Sequence, residues 1–272
     1  MKKIILISMI TSGMLLASSV TDLTTNVENE ILNGVAPVIN NSNVSQGHTV
    51  VSGDSTINNV QITQIKNSIS ETGIDSATVN QGLTQVNNGT LTKSTLDSTS
   101  DIKDSSITSE SVVRQASTVV SNGTIQNVGL SSTNTIVEAS VTGSSTLDQG
   151  VTIVNDGAEL EDTKVTSTNG LAGIVENSSN VSQATVELNG QGSSLDGDSI
   201  LTTTNTIIAN IDQSEVHQAR LRVGGGYKVS TLIMKETNNL IANVTGGSSV
   251  KQGGVDACAQ DGGLDASDWC ED

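Results

Sequence analysis

Apolar residues alternate with polar ones through most of the chain, and Gly, Asn or Ser breaks the alternation every dozen residues or so. A period of two predicts short half-buried strands joined by tight turns. The same frame returns again and again. An apolar residue opens each unit at Val44, Val79, Val113, Leu147, Val181, Val216 and Val250. A second follows seven residues on, at Val51, Val86, Val120, Val154, Leu188 and Val223. Between them Thr49, Thr84, Thr118 and Thr152 hold one place, which Val186 and Leu221 fill later. Soon after comes a turn marked by Gly53, Gly89, Gly123, Gly157, Gly190 and Gly225.

Two residues past each opening apolar residue stands a glutamine followed by Gly or Ala. These are Gln46, Gln81, Gln115, Gln149, Gln183, Gln218 and Gln252, spaced 35, 34, 34, 34, 35 and 34 residues apart. The chain is therefore read as all-β, a parallel β-solenoid or cross-β stack of seven tandem units of about 34 residues, with units starting near 44, 79, 113, 147, 181, 216 and 250. Helical tetratricopeptide arrays share this period but need helix-pair patterning and bulky aromatic and Pro positions, which are missing. In a stack of rungs, equivalent glutamines lie over one another and can form an amide ladder. The bland alternative is a polar residue facing water at each turn. One unit reads equally as one large coil or two smaller ones.

Composition narrows the picture. Phe is absent and aromatics make up 1% of the chain, Tyr227 and Trp269 being the two present. Without aromatic bulk a deep spherical core is hard to fill, whereas a thin core of β-branched layers is not. Pro37 is the one proline, so nothing after it blocks a continuous strand ladder. The formal charge of −17 argues against nucleic acid or an anionic membrane as partner.

The two ends differ from the middle. Residues 1–19 read as a signal peptide: Lys2 and Lys3, an apolar run from Ile4 to Leu16, then Ala17 and Ser19 at the cleavage site. No later segment is apolar enough to span a bilayer, so none is expected after cleavage. Residues 20–43 form a leader or cap, in which 22–33 could be a short helix with Asp22 as its cap, Leu23, Val27 and Ile31 on one face and Gly34 as its stop. The repeat array is placed at 44–257 and an acidic, Cys-bounded tail at 258–272. In an exported chain, Cys258 and Cys270 most simply close a disulfide.

No catalytic or cofactor-binding constellation emerges. There are two His and three Arg, no metal-type His spacing and no phosphate loop. A β-helical carbohydrate enzyme would gather carboxylates on one face, and here they are dispersed. The tail carboxylates Asp256, Asp261, Asp265 and Asp268 fit no Ca²⁺ loop spacing, so no metal site is assigned. Arg114 and Asp148, just before Gln115 and Gln149, are expected to pair across neighbouring units as an exposed pair of little worth.

The regular glutamines, the Gly, Asn, Ser and Thr richness, the scarcity of aromatics and the export signal resemble bacterial functional amyloid subunits of the curli and Fap kinds. Curli units are shorter and carry more fixed amides; Fap repeats are separated by linkers and have closer cysteines than Cys258 and Cys270. The resemblance implies a secreted subunit whose partner is itself, stacking end to end into an extracellular fibre, with other matrix subunits or an outer-membrane exporter as further partners. The rival expectation is a non-fibrillar β-solenoid adhesin that binds a host or polysaccharide surface through its sides.

Overall fold

A computed structural model describes residues 19–257 except 22–23, 32–37, 48, 54, 71, 190–191, 224–227 and 231, with side chains described from 41 to 254. Residues 1–18 of the stretch assigned to a signal peptide, and the Cys-bounded tail, lie outside the described residues; Ser19, the last of that stretch, opens the first strand.

Each 34-residue unit winds one coil. In the second full coil, the chain runs through Thr78–Gln81, Thr84–Asn87, Thr90–Thr92, Thr95–Lys103 and Ser106–Thr108, and then Val112–Gln115 lies on Thr78–Gln81. Every pairing is parallel and joins a strand to its counterpart one unit away. The protein is thus a parallel β-solenoid. Four sheets run along its axis, three of seven strands and one of ten. We call them the glutamine sheet (Asn43–Gln46 to Ser249–Gln252), the valine sheet (Thr49–Ser52 to Val255–Ala257), the short sheet (Ser19–Thr21 to Lys228–Val229) and the long sheet (Thr24–Ile31 to Ile233–Thr245). Six complete coils result, with a part coil at either end.

The corners explain the composition. The residue after each glutamine bends the chain through the left-handed region: φ is 66° at Gly82, 46° at Ala116, 62° at Gly150 and 52° at Ala184. Gly enters that region freely, while Ala pays roughly 1 kcal/mol. The corner between the short and long sheets is turned the same way by Asn59, Lys93, Asn127, Asp162 and Gly197. Asn, Asp and Gly are the residues that tolerate it best.

Corners also interrupt the strand ladder, and a buried amide left there would cost one hydrogen bond. Serines of the following coil supply it. The Val60 amide donates to Ser94 Oγ at 3.1 Å, Ala77 to Ser111 at 3.2 Å, Thr163 to Ser199 at 3.2 Å and Ser179 to Ser214 at 3.2 Å.

The interior is divided in two. One apolar column set joins the valine and short sheets to the start of the long sheet, through Val86, Leu91 and Leu96 and their equivalents. The other joins the glutamine sheet to the end of the long sheet, through Val79, Ile102 and Ile107 and theirs. Most of these side chains are wholly buried, each worth about 1.5–3 kcal/mol of burial.

Within the segment expected to be helical, 22–33, the described residues Thr24–Ile31 are a strand instead. Thr24–Ile31 pairs in parallel with the strand Gln61–Ser70, Thr24 opposite Gln61 and Ile31 opposite Ile69. A helix of that length is marginal on its own, whereas the edge of the first coil offers a full row of backbone partners. Ser19–Thr21 and Val38–Asn40 pair likewise with the coil that follows. Stacking therefore starts before residue 44, inside the stretch assigned to a leader.

Candidate functional site

The side chains with the most regular chemistry lie between the two cores. All seven glutamines point inward in one column. Five hydrogen bonds carry the ladder from Gln46 to Gln218, each from Nε2 of the later residue to Oε1 of the earlier: Gln81 to Gln46 2.9 Å, Gln115 to Gln81 3.0 Å, Gln149 to Gln115 2.8 Å, Gln183 to Gln149 2.7 Å and Gln218 to Gln183 2.8 Å. Gln252 adds the last, 2.6 Å to Gln218. The same nitrogens face carbonyls of the long sheet, Gln81 to Asn67 at 3.1 Å and Gln149 to Gly170 at 3.2 Å. A carbonyl demands a donor opposite it, which fixes which way round each amide sits.

A second ladder, which the sequence reading did not anticipate, runs up the middle of the long sheet. Asn134 Nδ2 donates to Asn169 Oδ1 at 2.8 Å, Asn169 to Asn205 at 2.8 Å and Asn205 to Asn238 at 2.7 Å. Here the earlier residue donates to the later, so the two ladders have opposite polarity. The spacing 134, 169, 205, 238 was a signal present in the sequence, masked by the many other asparagines.

Among the described residues, the last coil is less covered than those below it. Val244 is 43% exposed, while Ile74, Ile107, Val141, Val175 and Ile211, which fill its column in the coils below, are at 0%. Gln252 is exposed where Gln81 to Gln218 are buried.

On the outside, charged side chains of the glutamine and valine sheets lie close together. Arg114 lies 3.5 Å from Asp148, and Arg222 lies 2.9 Å from Glu187 and 2.7 Å from His217 Nδ1. The Arg114–Asp148 pair is less exposed than expected, the Asp148 side chain being 14% accessible. Burial pushes the Asp148 carboxyl up to about 6; Arg114 pulls it down and Glu187 pushes it further up. On the outer face of the long sheet, Ile208 (50% exposed) lies beside Ile241 (67%) in one column. Among the described residues, no group of three His, Cys, Asp or Glu side chains could hold a metal ion, and no helix is long and apolar enough to cross a membrane. Cys258 and Cys270 lie outside the described residues.

No protein-family model matches the chain, and no curated protein matches it. Among solved structures, a TibC-catalysed hyper-glycosylated fragment of TibA shares 16% identity over 79% of this chain and 99% of that one, with a TM-score of 0.16. At that score the likeness bears on neither fold nor function.

Proposed function

We propose that the chain is a secreted structural subunit that stacks end to end on copies of itself, forming an amyloid-like fibre of the cell surface or biofilm matrix. The observation that carries this reading is the core of the last described coil, where Val244 is 43% exposed above a column of residues at 0%. An edge of unpaired N–H and C=O groups over an apolar cross-section recruits another strand layer unless it is blocked. Another copy offers that layer with the same columns at the same spacing. The role is structural, with no catalytic residue or cofactor assigned, and the acidic chain has no use for nucleic acid. The likeness in style to functional amyloid subunits is in keeping with it.

Electron microscopy of the mature chain tests the reading. Unbranched fibres with a cross-β spacing of about 4.8 Å along the axis are expected. A protein that stays monomeric under all assembly conditions refutes it.

The adhesin reading draws on Ile208 and Ile241, exposed apolar neighbours on the outer face of the long sheet. It expects a side-on ligand, and Ile208→Lys would abolish that binding without changing fibre growth.

A further inference from the structure

The two ends of the stack are complementary, and their complementarity is directional. At the amino end, Ser19–Thr21, Thr24–Ile31 and Val38–Asn40 extend the short and long sheets one coil past the first glutamine strand, Asn43–Gln46. At the carboxyl end, Ser249–Gln252 and Val255–Ala257 extend the glutamine and valine sheets one coil past Lys228–Val229 and Ile233–Thr245. Each overhang supplies the faces that the other lacks.

The ladders add a polarity. Gln252 spends its nitrogen on Gln218, which leaves Oε1 at the carboxyl end as the next acceptor. Asn238 spends its oxygen on Asn205, so its Nδ2 is the donor that continues the other ladder; within its own coil that nitrogen reaches only Glu236, at 3.5 Å. At the amino end Gln46 holds the donor of the first ladder: its Nε2 meets a backbone carbonyl, that of Ser68, at 3.4 Å. Asn29 occupies the backbone position of the asparagine column there, opposite Asn67.

We infer that copies join head to tail through one shared coil, whose glutamine and valine strands come from one chain and whose short and long strands come from the next. This rests on the fibre reading and adds to it a register and a direction. In the joint, Gln46 Nε2 of the incoming chain donates to Gln252 Oε1, and Asn29 takes the backbone position that follows Asn238 in its column. Val250 is covered by Val44, and Ile39 takes the backbone position that follows Val244, each the next member of its own column. Two carboxyl ends facing each other would oppose two glutamine acceptors and two asparagine donors, and would set the strands antiparallel. Two amino ends would oppose two glutamine donors. Only the head-to-tail joint keeps every column in register and lets the glutamine ladder run on from one chain into the next.

Ser45 and Lys251 are the two exposed ends of one column, in which Lys251 lies beside His217 and Ser45 beside Asn80. Within one chain they stand six coils apart, about 29 Å at ~4.8 Å per coil, too far for a disulfide. Across the joint they become neighbours. Fibres of a Ser45→Cys/Lys251→Cys chain are oxidised mildly, and the linked peptides are mapped by mass spectrometry. The expected product is a link between positions 45 and 251 of different chains, making covalent multimers. Links of 45 to 45 or 251 to 251, or fibres without a 45–251 link, overturn the inference and leave the fibre reading standing. Absence of any fibre overturns both. A wild-type control uses fibres grown from a mixture of ¹⁵N-labelled and ¹³C-labelled chains. A solid-state NMR contact between the Gln46 side-chain nitrogen and the Gln252 side-chain carbonyl is expected, and a Gln252–Gln252 contact refutes the joint.

Discussion

Ser100 lies directly beneath Asn134, and at that step the asparagine ladder stops. Asn134 donates upward to Asn169, but its own Oδ1 is buried without a partner. The Ser100 hydroxyl is too short to reach it and turns to the Gln81 carbonyl at 3.4 Å. Asn67 occupies the same column one coil lower. Ser100→Asn is therefore expected to carry the ladder down one coil and to stabilise the protein by about 1 kcal/mol, the usual net worth of a buried hydrogen bond. A rise in the urea midpoint checks it; a fall would mean that the column has no room for the larger side chain.

Replacing a glutamine inside the stack removes two ladder bonds at once. Gln149→Leu strips the Gln115 oxygen and the Gln183 nitrogen of their partners in a buried wall. Each stranded amide costs about 1–3 kcal/mol, so a loss of about 2–4 kcal/mol is expected in chemical denaturation. Gln252→Leu, at the open end, should cost the monomer less than about 1 kcal/mol yet slow fibre growth.

Asp148 sets a pH dependence of defined sign. Its carboxyl is raised to about 6 chiefly by burial, so the folded protein holds the proton more tightly than the unfolded chain. The ionised group is a burden above pH 6, and the burden fades as the pH falls towards 3.8, the ordinary value. The shift corresponds to a maximum of about 3 kcal/mol at neutral pH. Asp148→Asn should be more stable than wild type at pH 7, with a gap that closes by pH 4. A gap that does not change with pH would contradict the assignment.

Glu236 faces inward at the carboxyl end, in a column that Ser98, Ser132, Ser167 and Thr203 fill below it. Partial burial already raises its carboxyl, while a hydrogen bond from Asn238 and the charge of Arg220 hold it down. A second copy would bury it further, and a buried carboxylate is costly unless it is neutralised. Fibre elongation should therefore quicken as the pH falls through the carboxylate range. Glu236→Gln should elongate at neutral pH as fast as wild type does in acid, followed by thioflavin fluorescence and seeded growth rates. A variant with an unchanged pH profile would clear Glu236 of this role.

Much of the architecture could be read from spacing alone. The glutamine period gave the coil length, and the alternation at Val79, Gln81, Thr84 and Val86 marks the inward side chains that the structure buries. The number of strands per coil was hidden because the corners are turned by single left-handed residues such as Asn59 and Lys93, too short an interruption to be told from a strand's own polar positions. The segment at 24–31 misled because Val27 and Ile31 suit a helix face. The helical reading ignored the open coil edge next to it, which decides the outcome. The asparagine ladder was missed for a related reason: its members are interleaved with Ser100 and surrounded by exposed asparagines of the turns.

The corner serines have one more consequence. Because Ser94, Ser111, Ser199 and Ser214 each complete a bend in the turn before their own, every winding is finished by its successor, like a knitted row held by the next. Loss or gain of a whole winding leaves each stitch with its mate, whereas a cut of half a winding drops all the stitches beyond it. Rod length can therefore drift over evolution in steps of one full turn, and in no smaller step.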